Sequence, residues 1–117
     1  MAGELGSSSD QPMSKSYFAT CTFDLKNGSQ QDYQNAYADL AKLGFATVVV
    51  GSNGNKITLP TTTTAGEFMG TSAVGVRDDL TVSVERAFAA RKFTYELFVT
   101  VGGDWTWGYR TTKKEGK

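Results

Sequence analysis

Between Tyr17 and Leu25 the residues YFATCTFDL alternate, with Tyr17, Ala19, Cys21 and Phe23 on one side and Phe18, Thr20 and Thr22 on the other. A period of two predicts a β-strand whose two faces meet different surroundings. KNGS breaks that pattern, and Ser29 with Asp32 three residues on reads as an N-cap with a capping-box acid. The period then changes to three and four: Tyr33, Ala36, Tyr37, Leu40, Ala41 and Leu43 form one stripe, opposite Gln34, Asn35, Asp39 and Lys42. A first helix is predicted there, stopped by Gly44. ATVVV (46–50) and KITLP (56–60) flank GSNGN, which is rich in residues that tolerate positive φ, so a β-hairpin is predicted.

TTTTAGEFMG (61–70) follows Pro60 and is bracketed by Gly66 and Gly70, which predicts an extended loop. Thr71 or Ser72 caps a second helix of about 19 residues with the stripe Ala73, Val76, Leu80, Val84, Ala87 and Phe88. FTYELFVTV supplies a last strand and runs into GGDWTWGYR. The order strand, helix, strand, strand, helix, strand is that of two split βαβ units. It predicts an α+β fold, a ferredoxin-like βαββαβ sandwich with a four-stranded antiparallel sheet and both helices on one face.

Residues 13–110 form one domain on this reading, a length that holds a single modest core. MAGELGSSSDQP (1–12) reads as a disordered leader appended ahead of a natural start at Met13, and 111–117 as a polar tail.

Charge narrows the function. Lys+Arg and Asp+Glu number 12 each, and nine of each remain within residues 13–110. Binding to a nucleic-acid backbone would therefore need cations that the fold gathers locally. Histidine is absent, which removes serine triads, His-paired cysteine chemistry and His-ligated zinc. Cys21 is the single cysteine, so no intramolecular disulfide forms and a cytoplasmic setting is expected. No apolar run has the length of a membrane span, so membrane insertion is not expected.

Three stretches carry a likeness to a known group: FDLK (Phe23 to Lys26) closing the first strand, LGF (Leu43 to Phe45) closing the first helix, and GDWTW (Gly103 to Trp107) after the last strand. With the order of elements from Tyr17 to Trp107, they make the chain resemble the SinR-like and VapD-like relatives of the small CRISPR-associated adaptation nuclease. The resemblance implies a ferredoxin-like homodimer with an acid at the end of the first strand near the two-fold axis. In nuclease members two such acids hold a divalent metal, and the matching position here is Asp24. This chain departs from those members in its neutral charge and lack of further polar catalytic residues.

Asp24 thus has two readings. It is the catalytic and metal-binding residue of a Mg²⁺-dependent nuclease, or it caps the KNGS turn as Asp commonly does. Asp78 and Asp79 diverge by about 100° on a helix and are expected to complement its positive N-terminus. Asp104, Trp105, Trp107 and Tyr109 are the candidate binding residues. Their aromatic rings suit stacking on bases or sugars, or anchoring a protein partner or second copy, and their alternation also suits a short edge strand. Gly51 to Asn55 lacks the lysine and serine of a phosphate loop and reads as a turn, and Cys21 reads as a buried thiol without chemistry. The expected function is a dimeric binding module for a protein or nucleic-acid partner, needing no cofactor. The alternative is the metal-dependent (ribo)nuclease centred on Asp24.

Overall fold

The computed structural model describes residues 14–112. The leader at 1–12, the start at Met13 and the tail beyond Thr112 lie outside the described residues. The elements are β1 (Lys15–Leu25), α1 (Gln30–Lys42), β2 (Val48–Val50), β3 (Lys56–Thr58), β4 (Thr63–Gly70), α2 (Ala73–Ala90) and β5 (Tyr95–Gly102). The architecture is α+β.

β1 is the only described strand with a ladder on both sides, and the sheet order is β4-β1-β5, all antiparallel. Lys15↔Gly70 to Thr22↔Thr63 set one register, and Phe18↔Gly102 to Leu25↔Tyr95 the other. β2 and β3 form the expected hairpin as a separate two-stranded ribbon, Val48↔Thr58 to Val50↔Lys56. The hairpin touches the sheet's hydrogen-bonding pattern only at the bridge Ala46↔Ala65.

The expected four-stranded sheet is therefore corrected to three strands plus a hairpin, and the expected loop over 61–70 to a strand. Threonine and glycine misled because their reasons here are packing ones. Thr64 is fully buried and donates its hydroxyl proton to the Cys21 carbonyl at 2.9 Å. Gly66 is needed because the chain leaving α1 crosses it: a β-carbon there would collide with the Gly44 carbonyl oxygen.

That crossing begins in the end of α1. Gly44 has φ +103°, its N–H donates to Ala41 O at 3.1 Å, and Phe45 N–H reaches back to Leu40 O at 2.9 Å. These two bonds make a Schellman cap, and its customary apolar contact is supplied by the buried pair Leu40 and Phe45. α2 ends in the same way, with Lys92 N–H to Ala89 O and Phe93 N–H to Phe88 O, but a lysine holds the left-handed position at φ +63°. At the helix starts, Ser29 and Asp32 form the expected capping box, and Ser72 accepts the Gly75 N–H.

Both helices cover one face of the sheet. Tyr17, Ala19, Cys21, Phe23 and Leu25 of β1 are buried with Ala36 and Leu40 of α1, Phe45, and Val76, Leu80, Val84 and Phe88 of α2. Each large apolar side chain so buried contributes about 1.5–3 kcal/mol. Phe23 sits at the centre, its ring 5.9 Å from Tyr33, 5.5 Å from Tyr37 and 5.6 Å from Phe88. The Arg91 guanidinium reaches from the end of α2 to Asp39 of α1 at 2.6 Å, and holds that carboxyl below its ordinary range.

Gly66→Ala is expected to cost about 1–3 kcal/mol, because a backbone oxygen cannot step aside as a side chain would. Gly102→Ala, whose methyl meets open space, is expected to stay within about 0.5 kcal/mol of the parent. Urea denaturation of both variants checks the pair, and equal midpoints would contradict the crossing. Lys92→Gly is expected to stabilise by about 0.5–1 kcal/mol, since it relieves a left-handed non-glycine residue while keeping the cap. Thermal unfolding with an unchanged or lowered midpoint would count against it.

Candidate functional site

The face of the sheet away from the helices carries Phe18, Thr20, Thr22 and Asp24 of β1. After β5 the chain crosses this face without becoming a strand, so of the readings of Trp105 to Tyr109 the short edge strand is set aside for an irregular strap. Glycine and threonine interleave the aromatics there, and aromatic packing takes the place of ladder hydrogen bonds. Trp105 is half-buried and stacks on Phe18, centroids 5.8 Å apart and planes 24° from parallel. Farther along, the edge of the Trp107 ring lies 3.8 Å from the point a β-carbon on Gly51 would occupy, which brings the strap alongside the hairpin turn.

Strap and hairpin enclose an open cleft of about 480 Å³. Trp105, Trp107 and Tyr109 line it. Asp104 does not: it is exposed in the bend before the strap and outside the cleft lining. The opposite wall is the turn 51–55, where Asn53 Oδ1 accepts the Asn55 N–H at 3.0 Å. Glu67 of β4 and Arg110 are the two charged residues of the lining. Sequence reasoning missed Asn53, Asn55, Glu67 and Arg110 because their positions depend on pairings between distant segments. A faint signal existed in the length of the hairpin turn, with two asparagines beside glycines.

Asp24 lies away from this cleft, at the far end of the same face. It is exposed, and the Tyr33 hydroxyl donates to its Oδ1 at 2.9 Å while accepting the Leu25 N–H at 3.0 Å. Its observed hydrogen bond is thus to α1 rather than to the KNGS turn. Glu96 of β5 stands directly opposite Asp24 across the ladder, which puts two like charges on neighbouring positions. Thr22, Asp24, Thr62, Glu96 and Phe98 line a shallow depression of about 300 Å³. Thr62 holds φ +64°, a conformation rare for a β-branched residue, and its N–H donates to the Tyr37 hydroxyl at 2.9 Å. Two carboxylates side by side suit a hard cation, although among the described residues no three metal-binding side chains cluster.

The remaining candidates carry no site. Asp78 and Asp79 were expected at the start of the second helix. α2 begins at Ala73, so they lie past its first turn, beyond the reach of the N-terminal dipole, and Asp78 instead pairs with exposed Arg77 at 2.7 Å. Cys21 is fully buried, and desolvation pushes its thiol up to about 11, so it is protonated and unreactive at neutral pH. Among the described residues no helix is long and apolar enough to cross a membrane. No protein-family model matches the chain, and no curated protein matches it.

Proposed function

We propose that the protein is a binding module that receives its ligand in the cleft between strap and hairpin. The observation that carries this reading is the gathering of both tryptophans of the chain and Tyr109 against an amide-lined turn in one open cleft. Aromatic rings lining a cleft, with a few polar groups around them, are the makings of a ligand site. The module reading is tested by thermal-shift screening against nucleic-acid, peptide and glycan libraries, in parent and Trp107→Ala. A ligand that raises the parent midpoint and leaves the variant unmoved supports the cleft. A screen without any such ligand sinks it.

The finer fold assignment belongs to the same proposal. A ferredoxin-like βαββαβ sandwich is supported by β1 lying between β4 and β5 with both helices on one side, and by the bridge at Ala46 where a fourth strand would run. Its partner on this reading is a second copy, joined through the outer edge of β5. That edge pairs with nothing among the described residues, carries no lysine or proline to blunt it, and presents Phe98, 65% exposed. Sedimentation velocity is expected to give a species of twice the 12.6 kDa chain mass, and Phe98→Lys to shift it to the monomer. A parent that sediments as a monomer at high micromolar concentration removes the dimer.

A second reading, the metal-dependent nuclease, is favoured by Asp24 and Glu96 standing opposite each other beside Thr62. Mg²⁺ would be held by the two carboxylates and by water. Cleavage of RNA and DNA with Mg²⁺ or Mn²⁺ is then expected to fall about 100-fold or more in Asp24→Asn, an effect of the size that loss of one charge-stabilising group produces. Equal rates in parent and variant dispose of this site.

A further inference from the structure

Resting on the reading of the cleft as a ligand site, we propose that its ligand is a neutral oligosaccharide. Glu67 and Arg110 cancel, and Arg110 already donates through Nη1 to the Tyr109 carbonyl at 2.7 Å. A nucleic-acid strand would bring several phosphates to a lining with one cation and one carboxylate, and its backbone affinity depends on the cations that meet those phosphates. An uncharged ligand incurs no such penalty.

The shapes of the two walls point the same way. Trp105 stacks on Phe18 on one side, while Trp107 is 37% exposed, so the strap presents flat apolar surface to the cleft. The apolar C–H face of a pyranose ring covers such a surface, while its equatorial hydroxyls point outward around the rim. On the facing wall, Asn53 uses its carbonyl oxygen to bind the Asn55 N–H, which fixes the side chain and leaves the amide NH₂ to donate. Asn55, Glu67 and the remaining guanidinium nitrogens add acceptors and donors at the same rim. Flat aromatic surface below, with mixed donors and acceptors at the edge, matches the apolar face and hydroxyl rim of a sugar ring. The cleft is open, which suits a chain passing through it.

The two tryptophans of the molecule are both in this cleft, so tryptophan emission, excited selectively over the tyrosines, reports on this site. The full chain is titrated at millimolar ligand with cellohexaose, xylohexaose, chitohexaose, maltohexaose and mannohexaose, and separately with dT15 and a fifteen-residue uridine RNA. At least one hexaose is expected to give a saturable change in tryptophan emission that does not weaken when salt is raised. Trp107→Ala, at a position 37% exposed and outside the buried core cluster, is expected to weaken that hexaose about tenfold or more, comparable to losing one stacked base. Asn53→Ala is expected to weaken it while keeping both fluorophores. Three outcomes overturn the proposal: no response to any hexaose, a response undiminished in both variants, or a salt-sensitive response to the oligonucleotides alone. The last would remove the oligosaccharide while leaving the cleft as a ligand site, so the two readings fail separately.

Discussion

The contact on which the other parts of the structure depend is the packing of the Phe23 ring. It lies on the central strand and touches Tyr33 and Tyr37 of α1 and Phe88 of α2, so one side chain joins both helices to the sheet. Phe88 carries the contact onward to Phe93 and Tyr95, edge-on in each case, and so fixes where β5 begins after the helix. The two tyrosines then pass the order outward. Each buries its ring against Phe23 and projects its hydroxyl toward the rim, Tyr33 to Asp24 and Tyr37 to the backbone of Thr62. The strained Thr62 and the Asp24 carboxylate are neighbours because both are tied to the same aromatic cluster.

The alternation of β1 divides the molecule into two chemistries. Its inward residues are apolar and nearly solvent-free, whereas Phe18, Thr20, Thr22 and Asp24 meet a surface that no helix covers. Along that outer face the composition is graded. At the Phe18 end the strap and hairpin close over it, and Ala65, though outward-facing, is 2% exposed. In the middle the Thr20 and Thr100 hydroxyls bond across the ladder. At the Asp24 end the face is open and acidic, with exposed Phe98 beside it. The cleft and the acidic depression are thus two ends of one surface, separated by a polar band that belongs to neither.

Much of the fold was legible because its local signals agreed with one another. Ser29 with Asp32, Gly44, and Ser72 each marked a helix end through bonding that needs only a few neighbouring residues. β4 was not legible, since its threonines and glycines are explained by partners 20 to 50 residues away: Thr64 by the Cys21 carbonyl, Gly66 by the crossing of Gly44. The length of α2 was legible from its apolar stripe, although the left-handed lysine of its cap, Lys92, has no signature, its strain being offset by Phe93 packing on Phe88. For the site, the aromatic half could be read from composition and the polar half could not. Trp105, Trp107 and Tyr109 are unusual wherever they fall, whereas Asn53, Asn55 and Glu67 become meaningful only once the hairpin turn and β4 are brought beside the strap. The same holds for Glu96, whose alternation with Phe98 places it on the outer face without revealing that it opposes Asp24.

The geometry also sets limits on how the two proposed assemblies combine. In a dimer joined through the outer edges of two β5 strands, the β1 strands of the two copies stand three strand spacings apart, or about 14 Å. Two carboxylates sharing one hard cation must each place an oxygen within about 2–2.6 Å of it. Side chains as short as Asp24 cannot close that gap while both remain hydrogen-bonded to Tyr33. An edge-paired dimer and a metal held between two Asp24 residues therefore exclude each other, and any ion at Asp24 in such a dimer would draw its second carboxylate from Glu96 of the same chain. Glu96, by contrast, lies on the strand at the axis. An antiparallel register centred on Glu96 would set its charge against that of its own copy, whereas one centred on the strand, between Phe98 and Val99, sets Glu96 opposite Val101, which favours the centred register.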